Sequence, residues 1–254
     1  MANELRLTFS EHLNELRNRL IWSILAIFIG MCLAWFIREP IFTFLTAPFF
    51  KAWRRISTLP DPMLHFANPI EPFVAYLKLS FVGGIFLASP VVLYNLWKFV
   101  APGLYPREKR LVVPFVLSST ILFVGGGLIC YALVLPVGFQ FFLGFSGDIG
   151  NQAALTPTIM MNEYMDISIK LILAFGLIFE LPVLLTFLAL VGILNYRQLL
   201  RFGRWFIVLA FIIAAIITPP DVFSQMCMAL PLVALYYLSV LLAYWLGPRP
   251  DKAS

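Results

Sequence analysis

The run from Leu171 to Val191, LILAFGLIFELPVLLTFLALV, most constrains what this chain can become. Roughly 20 apolar residues suffice for a helix that crosses a bilayer. One carboxylate, Glu180, stands at its middle, and a charge at that depth costs about 2.5–3.5 kcal/mol on insertion scales. Two residues on, Pro182 has no N–H to give the Ile178 carbonyl, so a helix here must kink or leave an acceptor free. Glu180 reads in two ways: as a polar pin between helices, or as a docking or relay point on a protein-facing or water-facing surface.

The rest of the chain agrees with a membrane setting. Of 254 residues, 61% are hydrophobic and 12% charged, about half the charge of an ordinary soluble domain. Apolar runs predict spans at about 20–37, 73–97, 111–135, 167–194, 205–217 and 222–245. The expected fold class is therefore all-α, a polytopic integral membrane protein with six transmembrane helices in one domain over 1–254. Cys32, Cys130 and Cys227 lie in separate apolar runs without metal spacing, and His12 and His65 are the only histidines. No metal site, no disulfide framework and no nucleotide or phosphate-loop fingerprint is expected.

The connections carry the remaining signals. Thr8 and Glu11 fit a capping box ahead of Phe9, and Phe9, Leu13, Leu16 and Leu20 form one stripe. That pattern predicts an amphipathic helix along the membrane surface, leading into a retained first span. Residues 41–56 mix phenylalanines with Lys51, Arg54 and Arg55, the chemistry of a segment lying among headgroups. Lys78 reads as a snorkelling cation, and Asp166 with Lys170 as an i,i+4 pair. Residues 136–166 read as a loop, and 195–204 as a short basic loop. As a helix, Trp205 to Ile217 covers only about 20 Å, short of a ~30 Å hydrocarbon core.

Charge sets the orientation. Lys98, Arg107, Lys109 and Arg110 fall in one short connection, and Arg197, Arg201 and Arg204 in another. The positive-inside rule puts these in the cytoplasm, with both termini on the same side. Acids are scarce on that face. Glu15 has Arg19 one turn on, and Glu108 follows Pro106 at a helix start; each has a bland local explanation. Together, two carboxylates also suit bidentate binding of guanidinium groups. A rival class, a proton-coupled small-molecule transporter with Glu180 as coupling acid, would predict internal repeats and paired ionisable groups at depth, and neither is evident.

Four stretches carry a resemblance: TFSEHLNELRNR at Thr8–Arg19, FVAPGLYPREK at Phe99–Lys109, FGLIFELP at Phe175–Pro182 and TPPDVFSQ at Thr218–Gln225. In this order they resemble the TatC family, the receptor core of the twin-arginine protein translocase. The resemblance implies six helices in a concave, glove-like arrangement with two short final helices, in the bacterial inner membrane. It implies a cytoplasmic signal-peptide site of Glu15 and Glu108, with Arg17, Phe99 and Leu104 nearby. It implies that Glu180 meets polar side chains of TatA- and TatB-type single-span subunits, and that Pro48, Asp221 and Gln225 act in structure or assembly at the outer face. The expected partners are twin-arginine signal peptides of folded substrates, those subunits in a hetero-oligomer of several copies, and membrane lipid. The proton-motive force drives the family; no cofactor, nucleic acid or enzymatic activity is expected.

Overall fold

The structure, a computed structural model, describes residues 9–56, 61–100, 112–149, 153–218 and 221–247. Its helices are α1 (Phe9–Phe36), α2 (Arg38–Trp53), α3 (Glu71–Val100), α4 (Val112–Ile129), α5 (Leu135–Leu143), α6 (Met161–Ile178), α7 (Leu181–Leu190), α8 (Tyr196–Ile217) and α9 (Val222–Leu246). A π-helical turn, Cys130–Val134, joins α4 to α5 just before Pro136. A short antiparallel pair, β1 (Gly147–Ile149) and β2 (Ala153–Leu155), sets Asp148 opposite Ala154. Among the described residues, six helical stretches are long and apolar enough to cross a membrane: His12–Phe36, Glu71–Phe99, Val113–Leu143, Met161–Leu190, Tyr196–Ile217 and Val222–Leu246.

Several boundaries differ from the sequence reading, each for a physical reason. The amphipathic lead-in is not a separate surface helix. From Phe9 it runs straight into the first apolar run, because nothing between Arg19 and Leu20 breaks the backbone. Thr8 lies outside the described residues. The third apolar helix continues to Leu143, the π turn absorbing the missing N–H of Pro136. The basic stretch 196–204 is helical: Leu199, Gly203, Phe206, Ala210 and Ala214 form one buried stripe. Asn195 caps it and receives Gln198 Oε1 on its own N–H at 3.0 Å. At 22 and 25 residues, α8 and α9 measure about 33 and 38 Å, so neither is short as a helix.

Helix pairs in lipid gain little from burying apolar surface and depend on close packing and interhelical hydrogen bonds. Gly30 of α1 meets Gly84 of α3 so closely that a Cβ on Gly30 would lie 2.7 Å from the Gly84 carbonyl oxygen. Helix α2 packs one face into the protein: Leu45, Thr46, Pro48, Phe49, Ala52 and Trp53 are buried, while Lys51, Arg54 and Arg55 are exposed. Phe49 is fully enclosed, its ring within 5.5 Å of Trp53 and Phe139 and 5.1 Å of Tyr164. Pro48 denies the Phe44 carbonyl its usual donor, and the Tyr131 hydroxyl donates to that carbonyl instead at 2.9 Å. Pro90 does the same to Phe86, whose carbonyl accepts from the Ser89 hydroxyl at 2.7 Å. In hydrocarbon such carbonyls have no water to turn to.

Lys78 does more than snorkel. Its Nζ donates to Asn162 Oδ1 at 2.8 Å and pairs with Asp166 Oδ1 at 2.6 Å, tying α3 to α6. Asp166 thus pairs across helices and not with Lys170. The α2–α3 connection is fixed to the start of α6 by His65, whose N–H donates to Ile159 O at 3.0 Å and whose carbonyl accepts from Met161 N at 2.7 Å.

Candidate functional site

Two regions gather the residues singled out from sequence. The first lies where the N-terminal turns of α1 meet the C-terminal turn of α3. The His12 ring stacks on Phe99 with centroids 4.5 Å apart and planes 15° from parallel. Glu15 is one turn beyond His12, half-buried, and joined to Arg19. Both Arg19 contacts, Nε at 3.1 Å and a closer Nη2, use Glu15 Oε1. Among the described residues nothing donates to Oε2, which is free to accept from an incoming cation. Arg17 is exposed and, two residues from Glu15, lies on another side of the helix. Leu104 and Glu108 fall outside the described residues, in the connection that leaves α3 at Val100 and enters α4 at Val112. His12 had no role in the sequence reading, yet it fastens Glu15's helix to the last turn of α3.

The second region is built around Glu180. The helix breaks at Phe179–Glu180, and α7 restarts at Leu181 with Pro182 in its first turn. Helix α4 presses its backbone against this break: a Cβ on Gly126 would lie 2.6 Å from the Phe175 carbonyl oxygen and 2.8 Å from Phe179 Cβ. On the same α4 face, Phe123 packs on Gly176, and the fully buried Ser119 faces the Glu180 carboxyl. Ser119 also accepts from the Trp97 indole N–H at 2.9 Å. A polar chain therefore runs from α3 through α4 to the break, within a cluster of Trp97, Phe115, Phe123 and Phe187. It ends open: Glu180 Oε1 is buried and has no hydrogen-bond partner among the described residues. The Ser118-Ser119-Thr120 triplet inside an apolar run was the sequence signal for this chain.

Helix α7 ends in a Schellman cap. Gly192 takes φ +80°, its N–H bonding Ala189 O at 3.1 Å while the Ile193 N–H bonds Leu188 O at 3.0 Å. Gln225 does not approach Glu180. Its amide donates to Phe211 O at 3.0 Å, tying α9 to α8. Asp221 caps α9 by accepting from the Ser224 N–H at 2.7 Å, and Pro48 sits buried inside α2. Among the described residues no three His, Cys, Asp or Glu side chains converge as metal ligands would.

A break at a lone acid, braced by Gly126 of α4, stands beside an acid-bearing α1 stacked on the end of α3. The family profile described as Sec-independent protein translocase protein (TatC) matches residues 11–231. The chain belongs to the TatC family. It is 42% identical over 244 residues to the TatC of Koribacter versatilis, covering 96% of this chain and 87% of that one. It is 40% identical over 233 residues to the TatC of Aquifex aeolicus, covering 92% and 93%. The crystal structure of a twin-arginine translocase receptor, TatC, superposes with a TM-score of 0.80 at 39% identity, covering 93% of this chain and 99% of that one. This TatC-family chain is accordingly a multi-pass membrane protein and a component of a protein translocase, in a family that is not enzymatic. The proton-coupled transporter reading is not favoured.

Proposed function

We propose that this chain is the subunit that captures twin-arginine signal peptides at the cytoplasmic face of the bacterial inner membrane and nucleates the translocating complex. Glu15 and Glu108 receive the paired guanidinium groups, with Phe99 and Leu104 against the neighbouring apolar residues and Arg17 at the rim. The observation that carries this reading is the Glu15 carboxylate. It is held beside the end of α3 by the His12–Phe99 stack and, among the described residues, keeps one oxygen unoccupied. Planar guanidinium groups suit such an oxygen better than ammonium groups do. Both termini lie in the cytoplasm, on the side of the basic connections. Glu180 receives a polar side chain from the membrane helix of a TatA- or TatB-type subunit, which completes the open end of the Trp97–Ser119 chain. Pro48, Asp221 and Gln225 serve the architecture of the outer side.

The test is photo-crosslinking of a twin-arginine peptide to the full chain in membranes. Wild type should capture the Arg-Arg peptide and ignore its Lys-Lys version. Glu15→Lys and Glu108→Lys should abolish capture while the protein stays folded in the membrane, and Glu108→Gln should lose less because its amide oxygen still accepts. Undiminished capture by both lysine variants overturns the assignment.

A further inference from the structure

A crevice of about 300 Å³ opens among α2, α3, α4 and α6, and its walls are almost wholly apolar. Along α3 it runs from Leu79 to Leu87, and from Tyr131 of the π turn back along α4 to Val124. Eight residues of helix rise about 12 Å, the length of roughly nine or ten methylenes of an extended chain. Gly83 and Gly127 let its walls pack closely: a Cβ on Gly127 would lie 2.7 Å from the Phe86 ring, and one on Gly83 3.0 Å from Ala34 Cβ.

At one end stands Arg38, the first residue of α2, adjoining Ile37 of the crevice wall. Its guanidinium lies 4.9 Å from the Trp35 ring centroid and 5.9 Å from that of Tyr76. Tyr76 precedes Leu79 by three residues, so the cation sits about 4.5 Å of helix rise above the crevice. Arg38 is half-buried. One N–H donates to the Trp35 carbonyl at 3.2 Å, and among the described residues no carboxylate pairs with it. A fork of donors held between two rings, unneutralised, at the head of an apolar slot of acyl-chain length is complementary to one kind of molecule.

We propose that this crevice binds an anionic phospholipid, its phosphate on Arg38 and one acyl chain between α3 and α4. Guanidinium binds phosphate bidentately, and the aromatic faces hold it in place for that geometry. A zwitterionic lipid carries the same phosphate but brings an ammonium group towards Arg38, so the net attraction falls. The proposal does not depend on the signal-peptide reading, since Arg38 lies at the opposite end of α1 from Glu15.

Native mass spectrometry of the full chain, delipidated in detergent, tests it with phosphatidylglycerol and phosphatidylcholine at equal concentration. Wild type should retain one phosphatidylglycerol with about tenfold preference, the ratio expected from one charge-assisted contact. Arg38→Gln should remove the preference and Arg38→Lys should keep part of it. Leu128→Trp, at an exposed position on the crevice wall, should lower retention of both lipids. Equal retention of the two lipids by wild type overturns the proposal, as does an Arg38→Gln protein that keeps the wild-type ratio. If Arg38→Gln does not fold, the wild-type ratio and Leu128→Trp still decide: unchanged retention by Leu128→Trp places the lipid elsewhere and ends the proposal.

Discussion

At the scale of single residues, the chain repeatedly answers a proline with a hydroxyl. The buried Ser89 bonds the very carbonyl that Pro90 abandons. Ser89→Ala should therefore cost about 1–3 kcal/mol, the range for an orphaned buried acceptor. In a Pro90→Ala background, where the restored N–H serves Phe86, the same change should cost little. Thermal unfolding of the four proteins of this cycle in detergent measures the coupling, and simple additivity would show that the hydroxyl is incidental. Glu180 is the opposite case, an acid left with an unsatisfied oxygen. Glu180→Ala should leave peptide capture intact and reduce partner co-purification and transport severalfold, whereas Glu180→Gln, which still donates and accepts, should retain more. Transport at the wild-type rate by Glu180→Ala would leave this acid only a pin between helices. The acid itself was legible in the sequence, because a lone carboxylate in an apolar run is conspicuous. Its neighbours Ser119 and Trp97 were not, since the contacts join residues far apart in the chain.

At the scale of elements, glycine placement decides which helices touch. A Cβ on Gly84 would lie 2.5 Å from Met31 N, backbone against backbone, whereas one on Gly125 would meet nothing within 4 Å. Gly84→Ala should destabilise by at least the ~1–3 kcal/mol typical of overpacking, and Gly125→Ala should be neutral or gain up to about 1 kcal/mol from helix propensity. Thermal unfolding separates them. Equal midpoints for the two variants would mean that α1 and α3 are free to move apart. The same scale explains what hydropathy failed to read. Averaging over a window hides the buried stripe Leu199–Gly203–Phe206 beneath Arg197, Arg201 and Arg204, so α8 looked shorter than it is. Phenylalanines beside basic residues do not say how far a helix packs into the protein, and only the Phe49 ring cluster shows that α2 does.

At the scale of the molecule, the order and number of apolar runs were readable because a bilayer imposes one length on every crossing. A cysteine replacing Asp148 in the β1–β2 hairpin should react with an impermeant maleimide added to spheroplasts, and one replacing Gln198 at the start of α8 only in inside-out vesicles. The reverse pattern would invert the topology assigned from loop charge. What no local pattern could reveal is the tie from Lys78 to Asp166, across 88 residues of chain. That separation has a meaning in time. A ribosome adding about 5–20 residues each second takes roughly 4–18 s to make the counter-ion after the cation. For most of that interval, once Val100 has been added, α3 is complete and carries an unanswered ammonium near its start. Until α6 arrives, that ammonium must be answered by water or headgroup oxygens, so the first half of the chain holds a charge that only the second half neutralises.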